Sequence, residues 1–303
     1  MNATAAMVGV VGVGAMGSRM ARRLADAGYR LVLNDVKGPM RDLPDSCRFV
    51  DTVGEVVEAA ETILLSLPTP DAVTEVTEEI AQAKRAGKTS TILCIDTSTC
   101  GPRVSERAAA TLQSVGIALV DAPVSGGITG ASAGTLTFML AGSDADMGKA
   151  RALLENLGSR LVHVGSVAGM GQVAKVANNM LEAAHMVATA EAMVVTEKAG
   201  INARTMLDIL NASSGRSSVT EEAFLSSVVT RKFNEGFALS LCLKDVRLCN
   251  EVTRGFDIPS WFGACVENML SLTLATSREE EPDYTSVVQM YEEWAGVSIG
   301  SVM

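Results

Sequence analysis

The sequence predicts an α/β domain followed by an all-helical domain. Between residues 7 and 164, short β-branched runs alternate with longer alanine-rich and charged segments, the pattern of βα units that cover a parallel sheet. After Gly165, long stretches rich in Ala, Met, Leu and Glu replace the strand-like runs. We therefore expect a parallel-sheet domain over residues 1–167 and a helical domain over residues 168–303, as the length of 303 residues allows.

Both domains have recognisable element boundaries. Gly101-Pro102 is expected to start a helix, and Gly158 to cap the helix 144–157. The candidate strands are 7–11, 30–34, 62–67, 91–95, 117–120, 136–141 and 160–163. The helices expected in the second domain are 172–198, 203–210, 219–229, 239–255, 261–275 and 285–294.

Charge and hydropathy exclude several classes of partner. The chain has 25 Lys and Arg against 35 Asp and Glu, a net charge of −10, which has the wrong sign for binding nucleic acid. No apolar run approaches the ~18 residues that a membrane helix needs. The apolar stretch 7–13 lacks a preceding basic residue and contains glycines, so it does not predict a signal peptide. A cytoplasmic location is therefore expected.

The scarcity of histidine and the spacing of cysteine exclude common metal sites. The two histidines, His163 and His185, are too far apart for HExxH, and no CxxC pair occurs. We expect no protein-bound metal, and reduced, mostly buried thiols for the six cysteines.

The segment GVGAMG at 12–17 follows the first predicted strand and opens an amphipathic helix, which is the context that a dinucleotide-binding turn requires. Gly12 permits the tight turn, Gly14 allows the pyrophosphate to approach the backbone, and Gly17 allows close packing of helix and strand. With Ala15 and Met16, these glycines are the candidate pyrophosphate site, at the positive end of the helix dipole. The first domain is therefore expected to be of the Rossmann type.

An acidic residue ends the second predicted strand, where such domains bind the ribose hydroxyls. Asn34 and Asp35 close this strand, roughly 20 residues after the glycine turn. The Asp35 carboxylate would repel a 2′-phosphate, so NAD is predicted as the cofactor rather than NADP. The alternative is an ordinary turn aspartate, and the nearby Lys37 and Arg41 are interpreted as a solvated helix start.

Two further segments are candidates for the chemistry. In the segment 121–127, Ser125, Gly126 and Gly127 follow a strand, and their amides can converge on a substrate carboxylate. The segment has too many glycines for a helix start, and a flexible loop is the alternative.

In the segment 171–179, Lys175 and Asn179 are four residues apart on one helical face, and Gly171 leaves space one turn earlier. The alternative there is a lysine that extends into solvent.

Taken together, these segments resemble the β-hydroxyacid dehydrogenase family, typified by 3-hydroxyisobutyrate dehydrogenase, over nearly the entire chain. The matching segments are 12–17, Pro68, 96–99, 121–127, 134–137, 171–179 and 244–245. The resemblance implies NAD-dependent oxidation of a small 3-hydroxy carboxylic acid, or reduction of the corresponding semialdehyde or keto acid, by a homo-oligomer, either a dimer or a tetramer.

Carried over residue by residue, the resemblance implies that Lys175 is the catalytic acid/base and that Asn179 positions the substrate. Burial, a nearby Lys244 and the positive nicotinamide ring would disfavour the charged form of this lysine. The remaining implied site residues are Ser125, Gly126 and Gly127 for the substrate carboxylate, Leu67, Pro68, Thr99 and Lys244 for the cofactor, and Asp245 beside the substrate as support for Lys244.

Three features leave the specificity and the reaction open. Ser218 replaces a bulky aromatic residue of many relatives, so a hydroxylated acid such as threonate, glycerate or a serine-like compound is as compatible as 3-hydroxyisobutyrate. Arg216 could meet a second anionic group or face solvent. Glu182, two turns after Lys175, raises the alternative of a decarboxylase of the 6-phosphogluconate dehydrogenase type, although the histidine of that family is absent at Asn178. A non-catalytic NAD-binding sensor is the third possibility, and the retained Lys175 and Asn179 argue against it.

Overall fold

The computed structural model of the chain describes residues 7–39, 44, 46–87 and 90–300. It contains two compact units, the first ending at Lys175 and the second beginning at Val176. This division falls inside the helix Met170–Lys198, so the first residues of that helix belong to unit 1. The domain division after residue 167 stays a prediction.

Unit 1 is built on one twisted sheet. Its strands are β1 Met7–Val11, β2 Arg30–Asn34, β3 Cys47–Phe49, β4 Thr62–Leu65, β5 Leu93–Asp96, β6 Ala118–Asp121, β7 Val124–Ser125, β8 Leu136–Ala141 and β9 Gly158–Gly165. The first six are parallel in the order β3-β2-β1-β4-β5-β6, which is the Rossmann order. Beyond β6, strand β8 runs antiparallel and pairs with both β7 and β9.

Helices cover both faces of this sheet. They are α1 Ala15–Asp26, α2 Val53–Ala59, α3 Pro70–Arg85, α4 Pro102–Gln113, α5 Gly127–Ala133 and α6 Asp144–Leu154. Successive strand residues such as Val10 and Val11 face opposite sides of the sheet, as the pleat requires. Val10 belongs to the cluster that includes buried residues of α1, α5 and α6, whereas Val11 belongs to the cluster that includes those of α2, α3 and α4. The predicted α/β class is confirmed.

Unit 2 is helical. The helix Met170–Lys198 (α7) continues into it, and it contains α8 Ala203–Asn211, a π-helix Val219–Val228, α9 Leu239–Gly255, α10 Trp261–Thr276, a 3₁₀ turn Tyr284–Ser286 and α11 Val287–Ala295. Its core includes Met186, Phe224, Leu243, Val266 and Tyr284, all nearly inaccessible to solvent. The expectation of an all-helical second domain is confirmed.

Several local predictions were wrong. Gly158 does not cap a helix: α6 ends at Leu154, and Gly158 begins β9, where its lack of a Cβ lets Leu136 and Phe138 pack against it. The short strands β3 and β7 were missed because neither has enough residues to show a periodicity.

Four of the six cysteines are buried, as expected for most of them.

In the part of the chain that the structure describes, no helix is both long and apolar enough to cross a membrane.

Candidate active site

The carboxyl ends of β1, β4, β5 and β6 lie side by side, because these strands are parallel neighbours. The chain reverses its direction of progress across the sheet between β1 and β4. Ligands of open α/β sheets bind outside the carboxyl ends at such a switch point. The segments that follow these four strands hold most of the predicted site residues of unit 1.

The glycine turn after β1 has no room for side chains at two of its three positions. Gly12 has a φ of +89°, and a Cβ there would overlap the carbonyl oxygen of Ser66. A Cβ at Gly17 would overlap the carbonyl oxygen of Gly12. By contrast, Gly14 is exposed, and a Cβ there would meet no heavy atom within 4 Å in the described residues.

Helix α1 begins at Ala15, directly after this turn. Among the described residues, no side chain caps its start, and its first turn, which includes Met16, contains no acidic residue. The free N–H groups and the positive end of the helix dipole therefore fit a pyrophosphate that approaches over Gly14.

Asp35 lies at the end of β2, next to the glycine turn. Its Oδ2 accepts a hydrogen bond from the Val13 amide at 2.7 Å, and its Oδ1 accepts one from the Lys37 amide at 2.8 Å. The carboxylate thus supports the turn and places a negative charge beside it. Arg41 lies outside the described residues.

Asn34 is buried, and its side-chain Nδ2 donates to the Val50 carbonyl at 3.0 Å. Its carbonyl oxygen accepts from the Gly12 amide at 2.9 Å. The side chain therefore faces the protein, and the contribution of Asn34 to the turn comes from its backbone. A cofactor contact of Asn34 stays a prediction.

Leu67 and Pro68 follow β4, and Thr99 follows β5. The Leu67 amide donates to Ser98 Oγ at 2.9 Å, which ties these two segments together. Pro68 is exposed, whereas Leu67 and Thr99 are half-buried. The three residues accordingly lie along the edge of the sheet on which a dinucleotide would extend.

The segment after β6 has a different secondary structure from the one that the sequence predicts. Val124–Ser125 forms strand β7, and Ser125 pairs with Thr137 of β8. Gly126 and Gly127 have φ values of +123° and +59°, and helix α5 begins at Gly127. The expectation that this segment cannot start a helix was wrong, because glycines with positive φ form its entry.

The start of α7 is anchored to the sheet by two residues that motif reasoning did not single out. The Asp121 Oδ2 accepts hydrogen bonds from the amides of Gly169 and Gln172, at 2.9 and 3.2 Å, and its Oδ1 accepts one from Gln172 Nε2 at 2.7 Å. A Cβ at Gly171 would lie 2.5 Å from the Met139 carbonyl oxygen and 2.9 Å from Asp121 Oδ2. Gly171 thus allows close packing, and the space expected beside it is filled by protein.

Lys175 lies one turn after Gln172, at the end of unit 1, and is only 9% exposed. The alternative of a lysine that extends into solvent does not apply, because this burial leaves the side chain little access to water. A buried lysine that follows an anchored helical turn is a suitable acid/base group, since its position is well defined.

In unit 2, a buried carboxylate joins two other predicted site residues. Asn179 Nδ2 donates to Asp245 Oδ2 at 2.6 Å, and Lys244 Nζ lies 3.0 Å from Asp245 Oδ1. Asn179 and Asp245 are both at least 96% buried, whereas the Lys244 side chain is 20% exposed. Asp245 therefore orients the Asn179 amide through a hydrogen bond and attracts the Lys244 ammonium group through its charge.

Arg216, Ser218 and Glu182 are the residues that leave the substrate specificity and the type of reaction open in the sequence. Arg216 is exposed and lies 3.7 Å from Glu221, and Ser218 is exposed as well. Burial, and after it the Glu182 carboxylate, raise the pKa of the Tyr284 hydroxyl, which places Glu182 near that core tyrosine. Within the described residues, no group of three or more His, Cys, Asp or Glu side chains could hold a metal ion.

Comparisons with known proteins cover both units. The NAD-binding domain of 6-phosphogluconate dehydrogenase matches residues 7–165, and the domain described as NAD-binding of NADP-dependent 3-hydroxyisobutyrate dehydrogenase matches residues 169–291. The mitochondrial 3-hydroxyisobutyrate dehydrogenase of Homo sapiens is 35% identical over 301 residues, which cover 94% of this chain and 87% of the relative. The 2-(hydroxymethyl)glutarate dehydrogenase of Eubacterium barkeri is 32% identical, with 96% and 97% covered.

Among solved structures, the 3-hydroxyisobutyrate dehydrogenase of Mycobacterium tuberculosis with L-serine is 27% identical. It matches with a TM-score of 0.82 over 95% of this chain and 99% of the other.

Proposed function

Because the chain belongs to the β-hydroxyacid dehydrogenase family, we propose that it oxidises a small 3-hydroxy carboxylic acid, or reduces the corresponding semialdehyde or keto acid, with Lys175 as the acid/base. It is an oxidoreductase that acts on CH–OH groups and uses a nicotinamide dinucleotide. The observation that carries the role of Lys175 is its burial one turn after the helix start that Asp121 anchors.

A nicotinamide dinucleotide held at this site would supply the hydride acceptor for the oxidation. In this direction the Lys175 amine takes the proton of the substrate hydroxyl, and in the reverse direction its ammonium form returns that proton. The glycine turn at 12–17 and the uncapped start of α1 would hold the pyrophosphate. Asp35 would bind the ribose hydroxyls, so we propose NAD as the preferred form of the cofactor.

The substrate carboxylate is assigned to Ser125, Gly126 and Gly127. The positive φ values of both glycines orient their amides in a way that ordinary residues rarely adopt. Methyl esters and primary alcohols should therefore react far more slowly than the free acids. Esters that react as well as the acids would contradict this assignment.

The identity of the acid is best tested with a panel. The relatives act on 3-hydroxyisobutyrate and 2-(hydroxymethyl)glutarate or were solved with L-serine, so these three compounds belong in it, together with threonate and glycerate. Formation of NADH is followed at 340 nm. A chain that bound NAD but reduced none with any acid would support the non-catalytic sensor instead.

Replacement of Lys175 tests the mechanism. Lys175→Met should lower kcat by ~10²- to 10⁴-fold and leave NAD affinity unchanged, because a positioned acid/base group contributes about that much to the rate. Lys175→Arg should not restore the rate, because a guanidinium stays protonated and cannot act as the base.

The matched control is Lys149→Met, which removes an exposed lysine paired with Asp146 and should leave kcat unchanged. If Lys175→Met kept near-normal turnover while Glu182→Gln or His163→Ala abolished it, the assignment would be wrong. The release of carbon dioxide would then be measured to test the decarboxylase alternative.

We also propose that the chain forms a homo-oligomer through unit 2. Large apolar side chains are exposed on this unit: Trp261 is 86% exposed and Trp294 is 60% exposed. Exposed side chains of this size are candidates for contact with a second copy of the chain. A cytoplasmic location stays a prediction.

A further inference from the structure

Gln172 is a polar side chain with no access to solvent, and its amide uses its full hydrogen-bonding capacity. Nε2 donates to the Ser98 carbonyl oxygen at 3.1 Å and to Asp121 Oδ1 at 2.7 Å. Oε1 accepts from the amides of Cys100 and Gly101, at 2.9 and 3.1 Å. A fully satisfied buried amide of this kind holds its partners in one arrangement.

These partners belong to the segments that carry the predicted site residues of unit 1. Ser98 and Cys100 flank Thr99, and Ser98 Oγ also accepts the Leu67 amide. Asp121 is the last residue of β6 and leads, four residues later, to Ser125. One side chain therefore connects the segment after β5, the substrate-binding segment after β6 and the first turn of α7.

Gln172 also fixes the position of the Lys175 backbone, from which the lysine side chain extends. The two residues are three apart on α7 and are thus neighbours on its surface. The backbone amide of Gln172 donates to Asp121 as well, and Gly171 packs against the same carboxylate. A displacement of Gln172 would consequently move Lys175 relative to Ser125.

We propose that Gln172 is a positioning residue for the proton-transfer step, which it serves by fixing Lys175 relative to the Thr99 and Ser125 segments. The proposal rests on the role assigned to Lys175 above. Gln172 touches neither substrate nor cofactor in this scheme, and its effect on the rate passes through Lys175. A misplacement of a reacting group by about 1 Å can cost roughly 100-fold in rate.

A double-mutant cycle with Lys175 distinguishes a positioning role of Gln172 from a purely structural one. Gln172→Met keeps the volume of the side chain but removes all four side-chain hydrogen bonds. It should lower kcat about 10- to 100-fold in the wild-type background and less than about twofold in the Lys175→Met background, because the group that it positions is then missing. The Kd for NADH, measured by fluorescence, should change little in either background.

The matched control is Asn250→Leu in unit 2. Asn250 is also buried, and its side chain hydrogen-bonds Gly263, Glu267 and Ser260. Its replacement should lower the thermal unfolding midpoint as Gln172→Met does, but leave kcat per folded molecule unchanged. If Gln172→Met does not fold, Gln172→Asn goes through the same cycle, since it keeps an uncharged amide but is one methylene too short to reach all four partners.

The outcomes are distinct. Equal losses of kcat in both backgrounds, or a lower midpoint with unchanged kcat, would overturn the proposal for Gln172 and leave the proposed function intact. Full activity of Lys175→Met would overturn the proposed function and this proposal with it. The assay uses NAD and the acid of the panel that gives the highest wild-type rate.

Discussion

At the scale of single residues, the choice of cofactor depends on Asp35. Its two carboxylate oxygens accept the amides of Val13 and Lys37, so the charge is held next to the glycine turn. A 2′-phosphate bound at the same position would meet this charge at short range, where like charges repel strongly. The hydrogen bonds and the charge are separate contributions and can be removed separately.

We expect Asp35→Asn to raise the ratio of kcat/KM for NADP to that for NAD about tenfold, the equivalent of about 1.4 kcal/mol. The amide keeps one acceptor for the turn and removes the charge. Asp35→Ala removes both, so it should also weaken the binding of either cofactor. Steady-state kinetics with both dinucleotides measures the ratio, and a wild-type preference for NADP would refute the assignment.

A second residue-scale effect concerns stability. Burial raises the pKa of Asp121 to about 6 against the lowering effect of the Gln172 hydrogen bond, and the Asp96 carboxylate raises it further. Between pH ~4 and ~6 the folded chain therefore binds more protons at this site than the unfolded chain. The stability that this group contributes is present below the unfolded pKa and is lost as pH rises through the folded pKa.

Because of this group, the free energy of unfolding should fall by about 2 kcal/mol between pH 4 and 7, and Asp121→Asn should lack that decline. Urea titrations at a series of pH values measure it. Asp146→Asn is a control of opposite sign, since the Lys149 hydrogen bond lowers the pKa of Asp146 and its contribution grows with pH. Parallel curves for wild type and Asp121→Asn would show that the shift is absent.

At the scale of elements, the turn between β1 and α1 separates folding from binding. Gly17 lies against the Gly12 carbonyl oxygen, whereas Gly14 has open space in front of it. The same residue type thus serves packing at one position and ligand access at the other.

Gly17→Ala should destabilise the fold by roughly 1–3 kcal/mol through overpacking. Gly14→Ala should change stability by no more than about 0.5 kcal/mol, as surface substitutions do, and should weaken cofactor binding. Thermal unfolding without ligand and titration with NADH give the two quantities. Equal losses of stability in both variants would contradict the proposed division of roles.

At the scale of the whole molecule, the exposed apolar side chains of unit 2 predict association. Trp261 and Phe262 are 86% and 56% exposed at the start of α10. Light scattering at micromolar concentration should give a mass of at least twice the 31.6 kDa of one chain.

Replacement of both residues by serine should lower that mass, whereas Ile92→Ser, which changes an exposed residue of unit 1, should not. A single species of one-chain mass for the wild type would rule out the homo-oligomer.

The sequence by itself determined the features that depend on neighbouring positions along the chain. Periodicity predicted the alternating first domain and the helical second one, and local motifs pointed to the glycine turn, to Asp35 and to Lys175. The fold predictions succeed because strand, turn and helix preferences act over a few residues, whereas the roles of Asp35 and Lys175 stay predictions. Strand β7 escaped them because two residues show no periodicity, and helix α5 escaped them because Gly126 and Gly127 adopt backbone angles that their propensity does not reveal.

Only the tertiary structure decided which distant side chains meet. Gln172 and Asp121 are 51 positions apart, and Asn179 and Asp245 are 66 positions apart, so no local pattern relates them. The first turn of α7 lies against the carboxyl ends of β5 and β6, which brings the first pair together, and the packing of α7 with α9 brings the second pair together. Burial then makes each contact matter, because a polar group removed from water must find its partner inside the protein.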